Sequence, residues 1–144
     1  MNINLRDAHL EDIPAVVRLI RELAASAGEN SPVKEAYVET YLCSPTSTIL
    51  LAEMDGRVIG LLSYSIRPDL YHAAPTCLIE ELIVQEAARR HGVGSRLMEE
   101  LLSRLAARFC AEVSVTTMPD NINAIRFYRR HGLTDEALFL EKHL

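Results

Sequence analysis

The strongest constraint on the fold lies in residues 76–117, where a strand pattern, a helix pattern and a second strand pattern follow one another. Residues 76–85 form a nearly continuous apolar run, which is typical of a strand covered on both faces. Residues 94–110 repeat apolar side chains at helical spacing, and residues 112–117 alternate as strands do. This order predicts a right-handed crossover between parallel strands, in a sheet that helices cover.

The remaining patterns add antiparallel strands and further helices to this unit. The predicted elements are strands over 3–7, 48–54, 57–67 and 137–142 and helices over 12–27, 33–43 and 121–131. Asp55-Gly56, between two of these strands, is a typical hairpin turn. We therefore expect one α/β domain over residues 1–144, with a mixed, mostly antiparallel sheet flanked by helices on both faces.

Charge, cysteine content and hydropathy argue against several classes of protein. A formal net charge of -5 disfavours a nucleic-acid-binding protein, which usually needs a basic face. Cys43, Cys77 and Cys110 are widely spaced and form no CxxC pair, which predicts reduced thiols in a cytoplasmic protein. The histidines lack metal-ligand spacing, so no metal site is expected. No apolar run approaches the roughly 18 residues that span a membrane.

Two glycines stand one residue apart in 84-VQEAARRHGVGSRLMEELL-102, just where the long helix is predicted to begin. The first N–H groups of a helix are unpaired and lie at the positive end of its dipole, so they form an anion site. Glycine permits a positive φ and lets a phosphate approach closely. Taken alone, Gly92 and Gly94 are equally compatible with an ordinary tight turn.

A second motif, 121-NINAIRFYRRHGL-133, removes much of that ambiguity. Together with R-x-x-G-x-G it resembles the GNAT superfamily of acetyl-CoA-dependent N-acetyltransferases. The family's pyrophosphate loop, Q/R-x-x-G-x-G/A, and its later N-x-x-A-x-x-F-Y-x-x-x-G-F segment match Arg89, Gly92, Gly94, Asn121, Ala124, Phe127, Tyr128 and Gly132. Leu133 replaces the common final Phe, and the element order resembles the family over nearly the whole chain.

The resemblance implies that acetyl-CoA is the co-substrate and that a primary amine accepts the acetyl group. Backbone groups of Leu82, Ile83 and Val84 would pair with the pantetheine arm, and Asn121 and Asn123 would contact the CoA arm. The pyrophosphate would lie against the loop residues Arg89, Arg90, His91, Gly92, Val93, Gly94 and Ser95. A family tendency to dimerise implies a homodimer.

Two adjacent glutamates in the strand 76–85 are the candidate bases. A lysine-type amine with a pKa of about 10.4 is mostly ammonium near neutral pH and must lose a proton before it attacks a thioester. Adjacent strand residues point to opposite faces, so at least one of Glu80 and Glu81 needs a reason to be there. Resemblance to the polyamine acetyltransferase branch favours Glu80 as base and Glu81 as ammonium contact. A β-bulge would reverse this assignment, and plain solvent exposure or an arginine partner is the alternative.

Tyr128 matches the family's general acid, which protonates the leaving thiolate. The alternative role of Tyr128 is that of an aromatic residue packed in the core. The loop 67–75 and the helix 33–42 are expected to line the acceptor site. Tyr37 and Tyr71 are the assigned substrate contacts, with Tyr41 and His72 as further candidates or surface aromatics.

Direct attack in a ternary complex is favoured over an acyl-cysteine, because Cys77 and Cys110 lie in apolar surroundings. The expected acceptor is a small amine, polyamine-like or an amino sugar. A protein N-terminus or lysine is the alternative acceptor, and a non-catalytic acyl-CoA sensor is the alternative function.

Overall fold

Five strands and four helices occupy residues 2–144, the part of the chain that the computed structural model describes. The elements are β1 (Ile3–Asp7), α1 (Ile13–Ser26), α2 (Glu35–Leu42), β2 (Ser47–Met54), β3 (Arg57–Asp69), β4 (Ala74–Val84), α3 (Val93–Ala107), β5 (Glu112–Val115) and α4 (Ile122–Arg130). The strands lie in the order β1-β2-β3-β4-β5. Neighbours from β1 to β4 pair antiparallel and β5 pairs parallel to β4, which confirms the predicted mixed sheet.

The hairpin between β2 and β3 turns at Asp55 and Gly56, both of which have a positive φ (52° and 77°). This pair of left-handed residues matches the twist of the two flanking strands. The second hairpin is longer in its strands than predicted, because Pro68 and Pro75 lie opposite each other within the ladder. The predicted loop is therefore reduced to residues 70–73.

Two apolar layers, one on each face of the sheet, hold the helices in place. Against one face packs α3, whose Leu97, Met98 and Leu101 are fully buried with Leu50 and Leu62 of the sheet. Each such leucine contributes roughly 1.5–3 kcal/mol to folding through the water it gives up. Consecutive residues of β2 from Ile49 to Ala52 alternate between the layers, so this part of the strand is continuously apolar, as a doubly covered strand must be.

The opposite face is covered by α1 and α2. Val16 and Leu19 of α1 and Val38 of α2 are buried there against Leu51 and Leu61 of the sheet. The sheet is thus enclosed between α3 on one side and the α1–α2 pair on the other. Within residues 2–144, no helix is long and apolar enough to cross a bilayer.

The predicted last strand over 137–142 is wrong. Residues 134–144, called here the C-terminal tail, form no strand or helix in the described chain. Leu138 and Leu140 are 85% and 81% exposed. The sequence has strand composition, but a strand also needs a neighbour to receive its N–H and C=O groups. Arg129 instead holds the start of the tail, donating to Thr134 O (3.3 Å) and to the Glu136 carboxylate (2.8 Å).

Arg6 joins the start of α1 to the sheet through a half-buried ion-pair network. Its guanidinium donates to both carboxylate oxygens of Asp12 (2.7 and 2.9 Å) and to Glu53 on β2 (2.9 Å). Asp12 is 6% exposed and also accepts from the backbone N–H of His9 at 2.7 Å. These hydrogen bonds hold the pKa of the Asp12 carboxyl below its usual range despite its burial, and the bond from Arg6 has the largest effect.

We predict that Asp12→Asn lowers the free energy of unfolding at pH 7 by about 1.5–3 kcal/mol, the usual contribution of a hydrogen bond to a charged group. A carboxyl whose folded pKa is lowered stabilises the fold above its unfolded pKa of about 3.9 and loses that effect as the pH falls through the folded value. The difference between wild type and variant should therefore narrow below about pH 4. Urea denaturation at several pH values measures it, and a difference independent of pH would contradict the assignment.

Candidate active site

Two cavities meet along β4 where its carboxyl half passes between the helices. The first, of about 640 Å³, lies between α1, α2 and the sheet and includes Ser63 and Glu81. The second, of about 470 Å³, lies between β4, the amino end of α3 and one side of α4, and includes Leu82 and Ile83. Successive residues of one strand therefore line different cavities, so β4 is the wall that the two share.

A β-bulge at Glu80 decides where the two adjacent carboxylates point. The register between β3 and β4 shifts after Ser63, so that Ser63 pairs with Glu81 but Tyr64 pairs with Ile79. Glu80 is thus the extra residue of the bulge. Ser63 Oγ donates to Glu81 at 2.5 Å, and Ser65 Oγ donates to Glu80 at 3.0 Å.

Ser63 and Ser65 are two residues apart on β3 and lie on the same face of the sheet. Both glutamates therefore lie on the α1–α2 face. The expectation that they point to opposite faces is wrong, because the extra residue of a bulge breaks the strict alternation of a regular strand.

The two glutamates differ in their surroundings. Glu80 is exposed, whereas Glu81 is half-buried in the first cavity, and the backbone N–H of Glu81 donates to Ser63 Oγ (3.0 Å). Burial raises the pKa of the Glu81 carboxyl, the Ser63 hydrogen bond partly offsets this, and the charge of Glu80 raises it further. Glu81 is therefore the carboxylate better suited to take up a proton near neutral pH.

Tyr41 brings a second polar group to the first cavity. Its hydroxyl is buried, and among the described residues it has no hydrogen-bond partner. Burial raises the pKa of Tyr41, and the charges of Glu81 and Glu80 raise it further. The nearby Ser47 and Ser63 hydroxyls lower this pKa, but by less than burial raises it. Tyr41 was only a further candidate in the sequence, because a surface aromatic was an equally good interpretation of the residue.

Of the assigned acceptor contacts, Tyr37 lines the first cavity and is 66% exposed. Tyr71 is 92% exposed at the tip of the β3–β4 hairpin, beside His72, which is held by Asp69. Seven residues of β4 separate that tip from Glu81, a distance of roughly 20 Å along a strand. The expectation that 67–75 lines the acceptor site is therefore wrong, while α2 does line the cavity.

The glycines at the start of α3 have different structural roles. Gly92 has a φ of 76° and precedes the first turn, a left-handed conformation that side chains other than glycine rarely adopt. Gly94 lies within the helix, where an added Cβ would come within 3.4 Å of the Phe127 ring. Gly92 thus turns the chain, and Gly94 lets α4 approach α3.

This turn leaves backbone donors at the second cavity. The first helical hydrogen bond of α3 runs from Arg96 N to Gly92 O at 3.1 Å. The N–H groups of Val93, Gly94 and Ser95 therefore precede the ladder, and all three residues line the cavity. Arg90 and Arg130 line it as well. Amides at a helix start, with two arginines beside them, form an anion site.

Other residues assigned to cofactor binding are engaged elsewhere. Arg89 lines the second cavity, but its Nε donates to Val84 O (2.8 Å) and its guanidinium reaches Glu22 of α1 (3.5 Å). Asn121 caps α4 by accepting from Ala124 N at 3.2 Å. The residues that line the cavity do not include His91, Asn121 or Asn123 within the described chain.

Sequence reasoning missed His131, whose Nε2 lies 3.1 Å from Ser95 Oγ and joins the carboxyl end of α4 to the anion site. Its ring also packs 4.8 Å from that of Phe127. The sequence motif around His131 predicted the helix α4 but did not single out this histidine. Histidines are frequent at exposed helix ends, and its partner Ser95 lies 36 residues away in the chain.

Tyr128 lies in the second cavity beside a free strand edge. Burial raises its pKa to about 12, so the hydroxyl keeps its proton at neutral pH. The parallel pairing of β4 with β5 ends at Ile79 and Val115, whereas β4 continues to Val84. The cavity is therefore lined by unpaired backbone groups of Leu82, Ile83 and Val84. The strand-like pairing expected from the sequence requires such a free edge.

Comparisons with known proteins agree with this arrangement. Residues 16–133 match the sequence profile of the Acetyltransferase (GNAT) family. An aminoalkylphosphonate N-acetyltransferase from Salmonella typhimurium is 32% identical over 130 residues, covering 89% of this chain and 82% of that enzyme. An L-2,4-diaminobutyric acid acetyltransferase from Nocardia farcinica is 32% identical over 98 residues, covering 64% of this chain but only 49% of the relative.

Solved structures resemble the chain over nearly its whole length. A protein described as a transcriptional regulator from Bacillus halodurans C-125 superposes with a TM-score of 0.88 at 23% identity, covering 99% of this chain and 100% of that one. An aminoglycoside acetyltransferase from an uncultured soil metagenomic sample has a TM-score of 0.83 at 20% identity, covering 99% of this chain and 95% of that one. At these identities the likeness establishes the fold.

Proposed function

The chain belongs to the GNAT acetyltransferase family, and from that premise we propose that it transfers an acetyl group from acetyl-CoA to a small-molecule primary amine. The fold, the family and with it the enzyme class predicted from the sequence are confirmed. The observation that carries the proposal is the meeting of two cavities at residues 81–83 of β4. One holds backbone donors for an anion, and the other holds a half-buried carboxylate.

The second cavity fits the CoA moiety. The amides of Val93, Gly94 and Ser95 would hold the pyrophosphate, with Arg90 and Arg130 beside them. The free edge of β4 from Leu82 to Val84 would pair with the pantetheine amides. Arg89 serves this site indirectly, by tying the loop to β4 and α1. When bound, acetyl-CoA supplies a thioester whose carbonyl carbon accepts the amine.

Glu81 is proposed as the general base, which reverses the assignment that the sequence favoured. The bulge places Glu81 in the first cavity with a raised pKa, so its carboxylate can take a proton from the ammonium. Glu80, exposed and held by Ser65, would contact the charge of the incoming amine from the rim. The free amine nitrogen then forms its bond to the thioester carbon, and the C–S bond breaks.

Tyr128 is proposed as the general acid. Its pKa of about 12 keeps the phenol protonated, and it lines the cavity that would hold the sulfur end of the pantetheine arm. The departing thiolate takes the phenolic proton, which prevents return to the thioester, and the second proton that the nitrogen loses as it becomes an amide returns to the phenolate. Buried Cys77 does not compete as a nucleophile, because burial raises its pKa to about 12.

The first cavity, of about 640 Å³ with a largely apolar wall, has the size and character of a small-molecule site, which favours a small acceptor over a protein N-terminus or lysine. A non-catalytic acyl-CoA sensor has no need of a half-buried carboxylate beside the CoA site. A single domain over the whole chain, a cytoplasmic location and a homodimer remain predictions.

We expect the wild-type protein to release CoA from acetyl-CoA when small primary amines are added, measured with a thiol reagent across an amine panel. Glu81→Gln should lower kcat by roughly 10²-fold or more at pH 7, because the amine then lacks its base. Its residual rate should rise with pH as the free-amine fraction grows.

The matched variant Glu80→Gln should lose much less activity. A wild-type protein that binds acetyl-CoA but releases no CoA with any amine would instead identify a sensor. Loss of turnover in Glu80→Gln with full turnover in Glu81→Gln would restore the assignment favoured by the sequence.

We expect Tyr128→Phe to lower kcat by roughly 10²-fold while the KM for acetyl-CoA stays near the wild-type value, since only the proton donor is removed. Steady-state kinetics over a range of pH measures both parameters, and thermal melting of the variant checks that it is folded. A normal kcat at every pH would exclude Tyr128 as the acid.

A homodimer formed through the C-terminal tail is proposed on two observations. The tail exposes Leu138, Phe139 and Leu140 side by side, an unusual arrangement for a monomer. In the described chain β5 is an edge strand, whose outer N–H and C=O groups can receive another strand. Arg129 holds the start of the tail, and in the described chain the tail does not pair with β5, so the edge of a second copy is the proposed partner.

We expect light scattering coupled to size-exclusion chromatography to give twice the 16.1 kDa chain mass for the wild type. A chain ending at Thr134 and the double variant Leu138→Asp/Leu140→Asp should both elute as monomers, because each removes the apolar strand. Leu70→Asp, which alters an equally exposed leucine in the β3–β4 turn, is the matched control and should stay dimeric. A monomeric wild type or a dimeric truncated chain would refute the interface.

A further inference from the structure

The walls of the first cavity indicate the kind of amine that it accepts. Among the described residues that line it, Glu81 is the one carboxylate and Lys34 the one cation. The rest of the wall is mainly aliphatic, contributed by Val16, Ile20, Val33, Val38, Ile49 and Leu61. One carboxylate can neutralise one ammonium group. Glu80 lies at the rim beside Glu81, so both carboxylates belong to the same end of the cavity. A second ammonium several carbons away would be desolvated among aliphatic side chains without a partner, which is strongly unfavourable.

Tyr41 supplies a further polar group at the carboxylate end of this cavity. A buried hydroxyl without a partner is costly, and natural proteins seldom retain one without a reason. Tyr41 and Glu81 line the same cavity, and Ser63, which hydrogen-bonds Glu81, lines it as well. A ligand that brings N–H groups to Glu81 therefore shares its cavity with this hydroxyl.

We propose that the acceptor is a primary amine on an apolar body with a single cationic group, and that the Tyr41 hydroxyl is a specificity-determining group that accepts one of its N–H bonds. The inference rests on the proposed function and names the substrate class of the same site. Of the acceptors first expected from the sequence, polyamines are disfavoured because they carry several cations, and amino sugars because their hydroxyls would be desolvated against an aliphatic wall.

The chemistry explains why a neutral acceptor oxygen beside the base is useful. An ammonium group has three N–H bonds, and Glu81 takes the proton of one of them. The nitrogen then has a lone pair and two N–H bonds. If Tyr41 Oη accepts one of these, rotation of the amine is restricted and the lone pair can be directed toward the thioester carbon. Lys34, exposed at the rim, would repel a second cation.

Three acceptors of equal chain length separate these effects: hexylamine, aminohexanoate and hexamethylenediamine. We expect kcat/KM for hexylamine to exceed that for the diamine by about tenfold or more, the effect of one poorly paired charge. Lys34→Glu should narrow or reverse this ratio. Equal turnover of diamine and monoamine by the wild type would overturn the proposed substrate class.

Tyr41→Phe removes only the hydroxyl and tests its role directly. We expect kcat/KM for hexylamine to fall about tenfold or more, with KM for acetyl-CoA unchanged. The melting temperature should stay equal or rise, since an unsatisfied buried group is lost. A merely structural hydroxyl would instead lower the melting temperature. The control is Tyr71→Phe, at the exposed tip of the β3–β4 hairpin and outside the lining of both cavities, which should leave both kinetics and stability unchanged.

The outcome is distinguishable from failure of the proposed function. If no amine releases CoA, calorimetric titration of the same three compounds into the wild type and Tyr41→Phe decides the inference alone. Tighter binding of hexylamine than of the diamine, weakened in Tyr41→Phe, would support the site without turnover. Unchanged kcat/KM and unchanged binding in Tyr41→Phe would refute the role of its hydroxyl.

Discussion

One extra residue in β4 determines the chemistry that the rest of the structure can support. The bulge at Glu80 breaks the alternation of a strand that is otherwise buried on both faces. In a regular strand, one of the two adjacent glutamates would enter the apolar layer under α3. The bulge places both on the α1–α2 face, where Ser63 and Ser65 receive them. The apolar layer stays intact, and the two carboxylates come together beside a cavity.

The layers and the order of elements could be predicted because they depend on periodic burial. Leu97, Met98 and Leu101 repeat at helical spacing, and the strands are apolar because both faces are covered. The C-terminal tail was predicted wrongly, because its composition indicates a strand while strand formation depends on a partner edge elsewhere in space. The local sequence pattern determines which secondary structure a segment prefers, and pairing with another strand determines whether a strand forms.

The candidate site was predictable where a backbone conformation imposes the residue. Gly92 needs a positive φ and Gly94 needs room for Phe127, so both positions are visible in the sequence. Side-chain roles were less visible, because they depend on partners distant in the chain. Arg89 belongs to the sequence motif, but its side chain binds Val84 O and Glu22. The face of the sheet on which Glu80 and Glu81 lie depends on a bulge, which the sequence allowed but did not establish.

Helix α1 runs past both cavities, with Val16 and Ile20 in the wall of one and Leu23 and Ser26 in the wall of the other. A rigid helix cannot move one end independently of the other, so a larger side chain at Ile20 would also disturb the second cavity. Helix α2 contributes to the first cavity and is absent from the described lining of the second. This division makes α2 the element through which the first cavity can change while the second is conserved.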